Sequence, residues 1–216
     1  MFEIFNIDPV LTPIHALNSS HRADIQSHLL TLGAEDRYLR FGYAAQDAQI
    51  KSYTDKLNFK RDKFFGIFDT DLHLQAVAHL AHDPKDMQAS EFGVSVTKTS
   101  RGKGYGSRLF DRAAMHARNQ GVKTMYIHAL SENTTMLKIA RHAGASIERD
   151  GGESAAYLKL PEPTLTSHLG EVSRDQWGLS DYGFKVQANL INRFVSSISS
   201  GAFAGGKLNA ATSACQ

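Results

Sequence analysis

Residues 94–107 read Val-Ser-Val-Thr-Lys-Thr-Ser-Arg-Gly-Lys-Gly-Tyr-Gly-Ser. A β-branched run closes into a basic loop with three alternating glycines, Gly102, Gly104 and Gly106, and a helical pattern follows at once. Glycine has no Cβ, so successive backbone N–H groups can turn toward one anion. The first turn of the next helix adds its own unpaired N–H groups and the positive end of its dipole. Arg101 and Lys103 add charge. The stretch therefore predicts a strand–loop–helix junction that holds a phosphate or pyrophosphate. The spacing departs from the P-loop, whose longer glycine gap ends in Gly-Lys-Ser/Thr. It departs also from the dinucleotide fingerprint, whose third glycine falls one residue later.

The sequence downstream continues the pattern. Leu109, Ala113 and residues 115–117 recur with helical period, and Gly121 marks the helix end. Residues 122–130 read as a strand. Ser131, Glu132 and Asn133 open a further helix with Met136, Leu137, Ile139 and Ala140, which stops before Gly144. Strand, glycine loop, helix, strand, Asn-led helix and glycine in this order resemble motifs A and B of the Gcn5-related N-acetyltransferases (GNAT).

That resemblance implies an α/β fold, a mixed central sheet with splayed strands flanked by helices. It implies that Arg101, Gly102, Lys103, Gly104, Tyr105, Gly106 and Ser107 hold the pyrophosphate of acetyl-CoA. Backbone groups of Val94 and Val96 would pair with the pantetheine arm, and Asn133 matches the residue ahead of motif B's helix. Glu91, at the start of the strand that feeds the loop, is the candidate catalytic base. The family's reaction is direct attack of an amine on the thioester in a ternary complex, with CoA as product. The acceptor is either a small-molecule amine or a protein lysine. The usual general acid of motif B is a Tyr, and Ala140 stands there. Protonation of the leaving thiolate then falls to water, His128, His142 or Tyr105. The departure also leaves open a non-catalytic acyl-CoA sensor or scaffold on the same fold.

Glu35-Asp36-Arg37-Tyr38-Leu39-Arg40-Phe41 is similar to a segment of a bacterial branch of this family, the protein-lysine acetyltransferases of the Pat type. In that branch the segment joins the first two helices and walls the acceptor site. The resemblance covers residues from about 12 to 160.

A chain of 216 residues is long enough for one good core, and its apolar and charged fractions are ordinary. A net charge of +2 gives no nucleic-acid or membrane signal. The ten histidines show no metal-ligand spacing, and His79 and His82 read as a polar strand end. Cys215 is the only cysteine, so there is no disulfide framework. No signal peptide and no span-length apolar run is evident, and the expectation is a bacterial-type cytoplasmic enzyme.

Residues 1–160 read as the acetyltransferase domain. Within it, residues 2–16 are extended, and Ser19 and Ser20 cap a helix beginning near His21. Two strands, residues 64–68 and 72–80, join through Asp69-Thr70-Asp71, and a closing hairpin turns at Gly151-Gly152. Residues 161–216 form a C-terminal extension. Phe184, Gln187, Leu190, Ile191, Phe194, Val195 and Ile198 lie on one face of a helix over about 184–198. Beyond Ser196 the Ser/Gly/Ala-rich composition predicts a mobile tail. The helix could cover the domain, make a homodimer contact or meet a membrane surface, and its few basic residues, Lys185 and Arg193, favour packing onto protein.

Overall fold

The computed structural model describes residues 12–204. The extended segment expected ahead of residue 12, Cys215 and the tail beyond residue 204 lie outside the described residues. The strands are β1 (His15–Leu17), β2 (Lys63–Phe68), β3 (Leu74–His82), β4 (Ala89–Val96), β5 (Thr124–Leu130), β6 (Ser146–Asp150) and β7 (Glu153–Lys159). They form one sheet in the order β1-β2-β3-β4-β5-β7-β6. Every neighbouring pair is antiparallel except β4 and β5. A parallel pair needs a crossover, and α4 (Tyr105–Asn119) supplies it. The other helices are α1 (Arg22–Leu30), α2 (Ala34–Phe41), α3 (Asp47–Asp55), α5 (Thr134–His142) and α6 (Leu165–Ala204).

The sheet has a core on each face. Phe65, Leu80, Phe92, Leu109, Phe110, Met125 and Leu137 pack on the side of α4 and α5. Ile25, Leu29, Ile50, Phe64, Phe68 and Leu74 pack on the side of α1 and α3. Neighbouring residues of a strand point to opposite faces, so Phe64 and Phe65 enter different cores. That is why β2 is buried on both faces along residues 64–68.

Two local expectations are corrected. Asn18, not Ser19 or Ser20, is the cap at the entry to α1. Its Oδ1 accepts from Ser20 N at 2.9 Å, and its own N–H donates to His21 Nδ1 at 3.2 Å. This reciprocal box closes a 3-10 turn, Ser19–His21, ahead of the helix. The β2–β3 turn is longer than Asp69-Thr70-Asp71, because β3 begins at Leu74 rather than Leu72. Asp69 Oδ1 accepts from the N–H groups of Asp71 and His73, at 3.0 and 2.8 Å, and this wraps the loop around one carboxylate.

α6 also differs from expectation. It begins at Leu165, far ahead of residue 184, and stays helical beyond Ser196 as far as Ala204. At about 1.5 Å per residue its 40 residues span about 60 Å. Where the side chains of the apolar face are described, at Phe184, Leu190 and Ile191, they are exposed and do not dock on the domain. The docking face is polar. Arg112 of α4, only 1% exposed, donates to Glu171 Oε1 at 2.9 Å and also to Asp175. His116 lies 2.5 Å from the same Glu171 oxygen, and Asn119 Nδ2 donates to Oε2 at 2.6 Å. Burial pushes the Glu171 carboxyl up, but the bonds from His116, Asn119 and Arg112 outweigh it and hold it well below the usual carboxylate range. Further along, His15 of β1 sits edge-on between Phe68 and Tyr182, with Nε2 3.3 Å from Asp181 Oδ2.

Candidate functional site

β4 and β5 pair only at Ala89↔Thr124, Ser90↔Met125 and Glu91↔Tyr126. Beyond those residues each strand keeps its other neighbour: β4 stays on β3 as far as Val96, and β5 stays on β7 as far as Leu130. The two strands therefore part after Glu91, and backbone groups of residues 92–96 that point into the gap have no strand opposite them.

The glycine loop closes the end of this gap. Its approach is anchored from β3, where Gln75 Oε1 accepts from Ser100 Oγ at 2.9 Å and from Thr97 Oγ1 at 3.0 Å. Gly102 and Gly104 hold φ of +76° and +73°, which L side chains rarely adopt. A Cβ at either position would meet nothing within 4 Å, so the strain lies in the backbone while the space above the loop is open. Gly104 is the N-cap of α4 and no side chain caps that helix. The N–H groups of its first turn are left for an external acceptor, as anion binding at a helix start requires. The residues thus fit a pyrophosphate.

Gap, loop, α2 and α5 enclose one cavity of about 650 Å³. Glu91, Val94, Val96, Arg101, Gly102, Gly104, Tyr105, Gly106, Ser107 and Asn133 all line it, and Lys103 does not. Arg101 donates to Asp36 Oδ1 of α2, so its charge is shared with a carboxylate. Asn133 Oδ1 accepts from Met136 N at 3.1 Å and caps α5. Tyr105 is 8% exposed and its ring belongs largely to the core. Ala140 is fully buried in the core and does not line the cavity. His128 and His142 line the cavity. Cα partners in a ladder share a face, which puts Glu91, Gly93, Tyr126 and His128 on the side of α2. A hollow of about 750 Å³ between α4 and α6 shares no residue with this cavity and has no such loop.

Beneath α2 runs a polar chain that the sequence did not announce. Arg40 Nη2 donates to Tyr53 OH at 3.1 Å, and that hydroxyl lies 2.8 Å from His79 Nδ1. A guanidinium only donates, so the Tyr53 hydroxyl accepts from Arg40. His79 Nε2 in turn lies 3.3 Å from Asp62 Oδ2, within ion-pair distance. Burial pushes His79 down, which keeps the ring neutral. Burial raises Asp62, but bonds from Arg61, His79 and the His82 N–H hold it well below the carboxylate range. His28 is fixed nearby: Nδ1 donates to the Leu74 carbonyl and Nε2 accepts from Ser95 Oγ, both at 2.8 Å. Arg37, three residues before Arg40, points elsewhere and donates to the carbonyls of Leu30 and Leu32 at the end of α1.

Residues 33–145 match the acetyltransferase (GNAT) family. The chain belongs to that family. Solved structures share its fold at low identity. The GNAT domain of S. lividans PAT is 19% identical, with a TM-score of 0.57 over 68% of this chain and 89% of that one. A GCN5-related N-acetyltransferase from Kribbella flavida is 14% identical, with a TM-score of 0.58 over 70% and 99%. Spermidine N-acetyltransferase from Vibrio cholerae, in complex with CoA and spermine, is 15% identical, with a TM-score of 0.56 over 69% and 96%. No described helix is long and apolar enough to cross a membrane.

Proposed function

We propose that this GNAT protein is an acetyl-CoA-dependent N-acetyltransferase acting on a primary amine. The observation that carries the reading is the parting of β4 and β5 at Glu91, with the uncapped start of α4 at the far end of the same cavity. An extended pantetheine arm fits between the strands, pairing with backbone groups of Val94 and Val96. The loop at residues 101–107 takes the pyrophosphate. The Vibrio cholerae spermidine N-acetyltransferase, of similar fold, binds CoA, which supports the same donor here.

The chemistry then follows from placement. A protonated amine has no lone pair, so it must lose a proton to attack. Glu91 stands where the strands diverge and takes that proton, directly or through water. The amine nitrogen bonds to the acetyl carbon and the carbon–sulfur bond breaks. A backbone N–H of the open β4 edge polarises the thioester carbonyl. The thiolate leaves as CoA after taking a proton from water, His128 or His142. Ala140 offers none, and Tyr105 is held in the core. Small amines and protein lysine are both acceptors of the right chemistry, and the residue 35–41 segment keeps the Pat-type branch in view.

The test is calorimetric titration with acetyl-CoA and CoA, followed by thiol-release assays over amines and lysine peptides. The expected result is micromolar binding that Gly104→Glu abolishes, since the variant strains the φ of +73° and sets a carboxylate beside pyrophosphate. Wild-type affinity in Gly104→Glu would refute the site. Binding without turnover of any amine would favour the acyl-CoA sensor, a reading that the buried Ala140 supports.

A further inference from the structure

Among the described residues two cations on the cavity wall, Arg40 and Lys138, have no carboxylate within ion-pair distance; Lys138 is exposed to water and Arg40 is half-buried. By contrast Arg101 is matched by Asp36, and Arg37 by Asp47. A half-buried guanidinium without an anion is costly to keep, and Arg40 is nonetheless held firmly. It stacks over Phe41 and Tyr53, with its Cζ 5.2 and 5.8 Å from the ring centroids. Its Nη2 is tied to the Tyr53–His79–Asp62 chain described above. The tie uses one donor and leaves the rest of the planar fork free for a two-oxygen acceptor.

The seat of this fork is specific. A Cβ on Gly93 would stand 2.8 Å from Arg40 Cζ and 3.0 Å or less from both terminal nitrogens. The guanidinium therefore rests on the bare backbone of β4, and a side chain at 93 would displace it from that seat. Glu91 is two residues from Gly93 on the same face of the strand, with Cα atoms about 6.6 Å apart. Glu91 and the guanidinium thus share one face of β4 within the same cavity, so an acceptor with a carboxylate close to its amine can engage both. The acidic residues of α2 do not oppose this: Asp36 is occupied by Arg101, and Glu35 is exposed at the rim.

We propose that Arg40 reads a carboxylate on the acceptor, which makes the substrate class an amino acid, or another amine with a carboxylate on the neighbouring carbon. This rests on the transferase reading and names the substrate of that same site. Arg40 holds the carboxylate, and the amine is thereby presented to Glu91. Arg40 is a specificity residue and takes no part in the proton transfer.

The experiment uses matched pairs: free amino acids and their carboxamides with the same side chain, assayed with the full chain and acetyl-CoA by thiol release. The expected wild-type kcat/KM favours the acid over its amide by roughly tenfold to a hundredfold, the range of a charge-assisted bidentate contact. Arg40→Gln should bring that ratio to about one, while calorimetry shows an unchanged acetyl-CoA affinity. Arg40→Lys, which keeps the charge and loses the fork, should retain part of the preference. Equal use of acid and amide by the wild type overturns the inference. So does a preference that survives in Arg40→Gln, or acetyl-CoA binding with no acid acetylated. Absence of acetyl-CoA binding by the wild type would instead refute the parent reading, and this inference with it. A purely structural Arg40 would lower all rates together and leave the ratio unmoved.

Discussion

Replacing Arg112 by Met tests how α6 is held. Arg112 is 1% exposed, donates to Glu171 and Asp175, and stacks on Phe65 with Cζ 4.5 Å from the ring centroid. Met fills most of its volume, so the cavity cost is small. The main loss is electrostatic: Glu171, 9% exposed, keeps its contacts with His116 and Asn119 but loses the buried guanidinium between α4 and α6. Removing one partner of a buried pair costs about 3–5 kcal/mol. Asp175 is partly exposed and adds little. For a chain of this length about 2–4 °C is lost per kcal/mol, so the melting temperature should fall by roughly 6–20 °C. Thermal unfolding followed by circular dichroism at pH 7 measures it, and urea unfolding gives the free-energy change. Adding Glu171→Leu to Arg112→Met should recover part of the loss, because no orphan charge is then left between the helices. A single variant that costs under about 1 kcal/mol would refute the ionic clasp. So would a double variant whose loss equals the sum of the two single losses.

Two further outcomes follow from the site and the fold. Glu91→Gln should lower kcat by about 10²- to 10⁴-fold with acetyl-CoA affinity preserved, the range for loss of a general base; unchanged turnover would remove Glu91 from the mechanism. His15 is pushed down to about 4 by burial, against an ordinary value of 6.5. The unfolded chain therefore takes up this proton first as pH falls. Its contribution is complete above pH 6.5 and is lost progressively toward pH 4, by about 1.4 kcal/mol per pH unit. His28 and His79 are lowered by burial as well and steepen the slope. Urea midpoints between pH 7 and pH 5 should fall, and His15→Phe should flatten the curve by one proton. An identical slope in that variant would sink the assignment.

What was legible in the sequence is what the backbone demands of particular residues. Gly102 and Gly104 need a positive φ, and their alternation beside a helix start has few other uses. Asn133 caps α5 through a side chain that the residue type itself advertises. The polar anchors were not legible. Arg37 and Arg40 are neighbours in one short segment, yet one clamps the end of α1 and the other rests on Gly93. That difference arises from where α2 crosses β4, which no local pattern records. His79 reads as a polar strand end until Tyr53 and Asp62 are brought beside it. α6 misled for a related reason. Helical periodicity locates its apolar face, but the docked face is the one bearing Glu171, Asp175 and Asp181, and a buried ionic cluster looks in sequence like a solvated one.

The divergence of β4 and β5 also bears on solubility. Unpaired strand edges usually invite a foreign chain, and proteins protect the outer rims of their sheets for that reason. Here the unfinished edges sit in the interior of the sheet and face each other, with α2 and α5 over the opening. A slender acyl chain can enter where a folded neighbour's strand cannot. The protein can thus keep main-chain hydrogen-bonding capacity in reserve for a ligand without becoming a template for self-association.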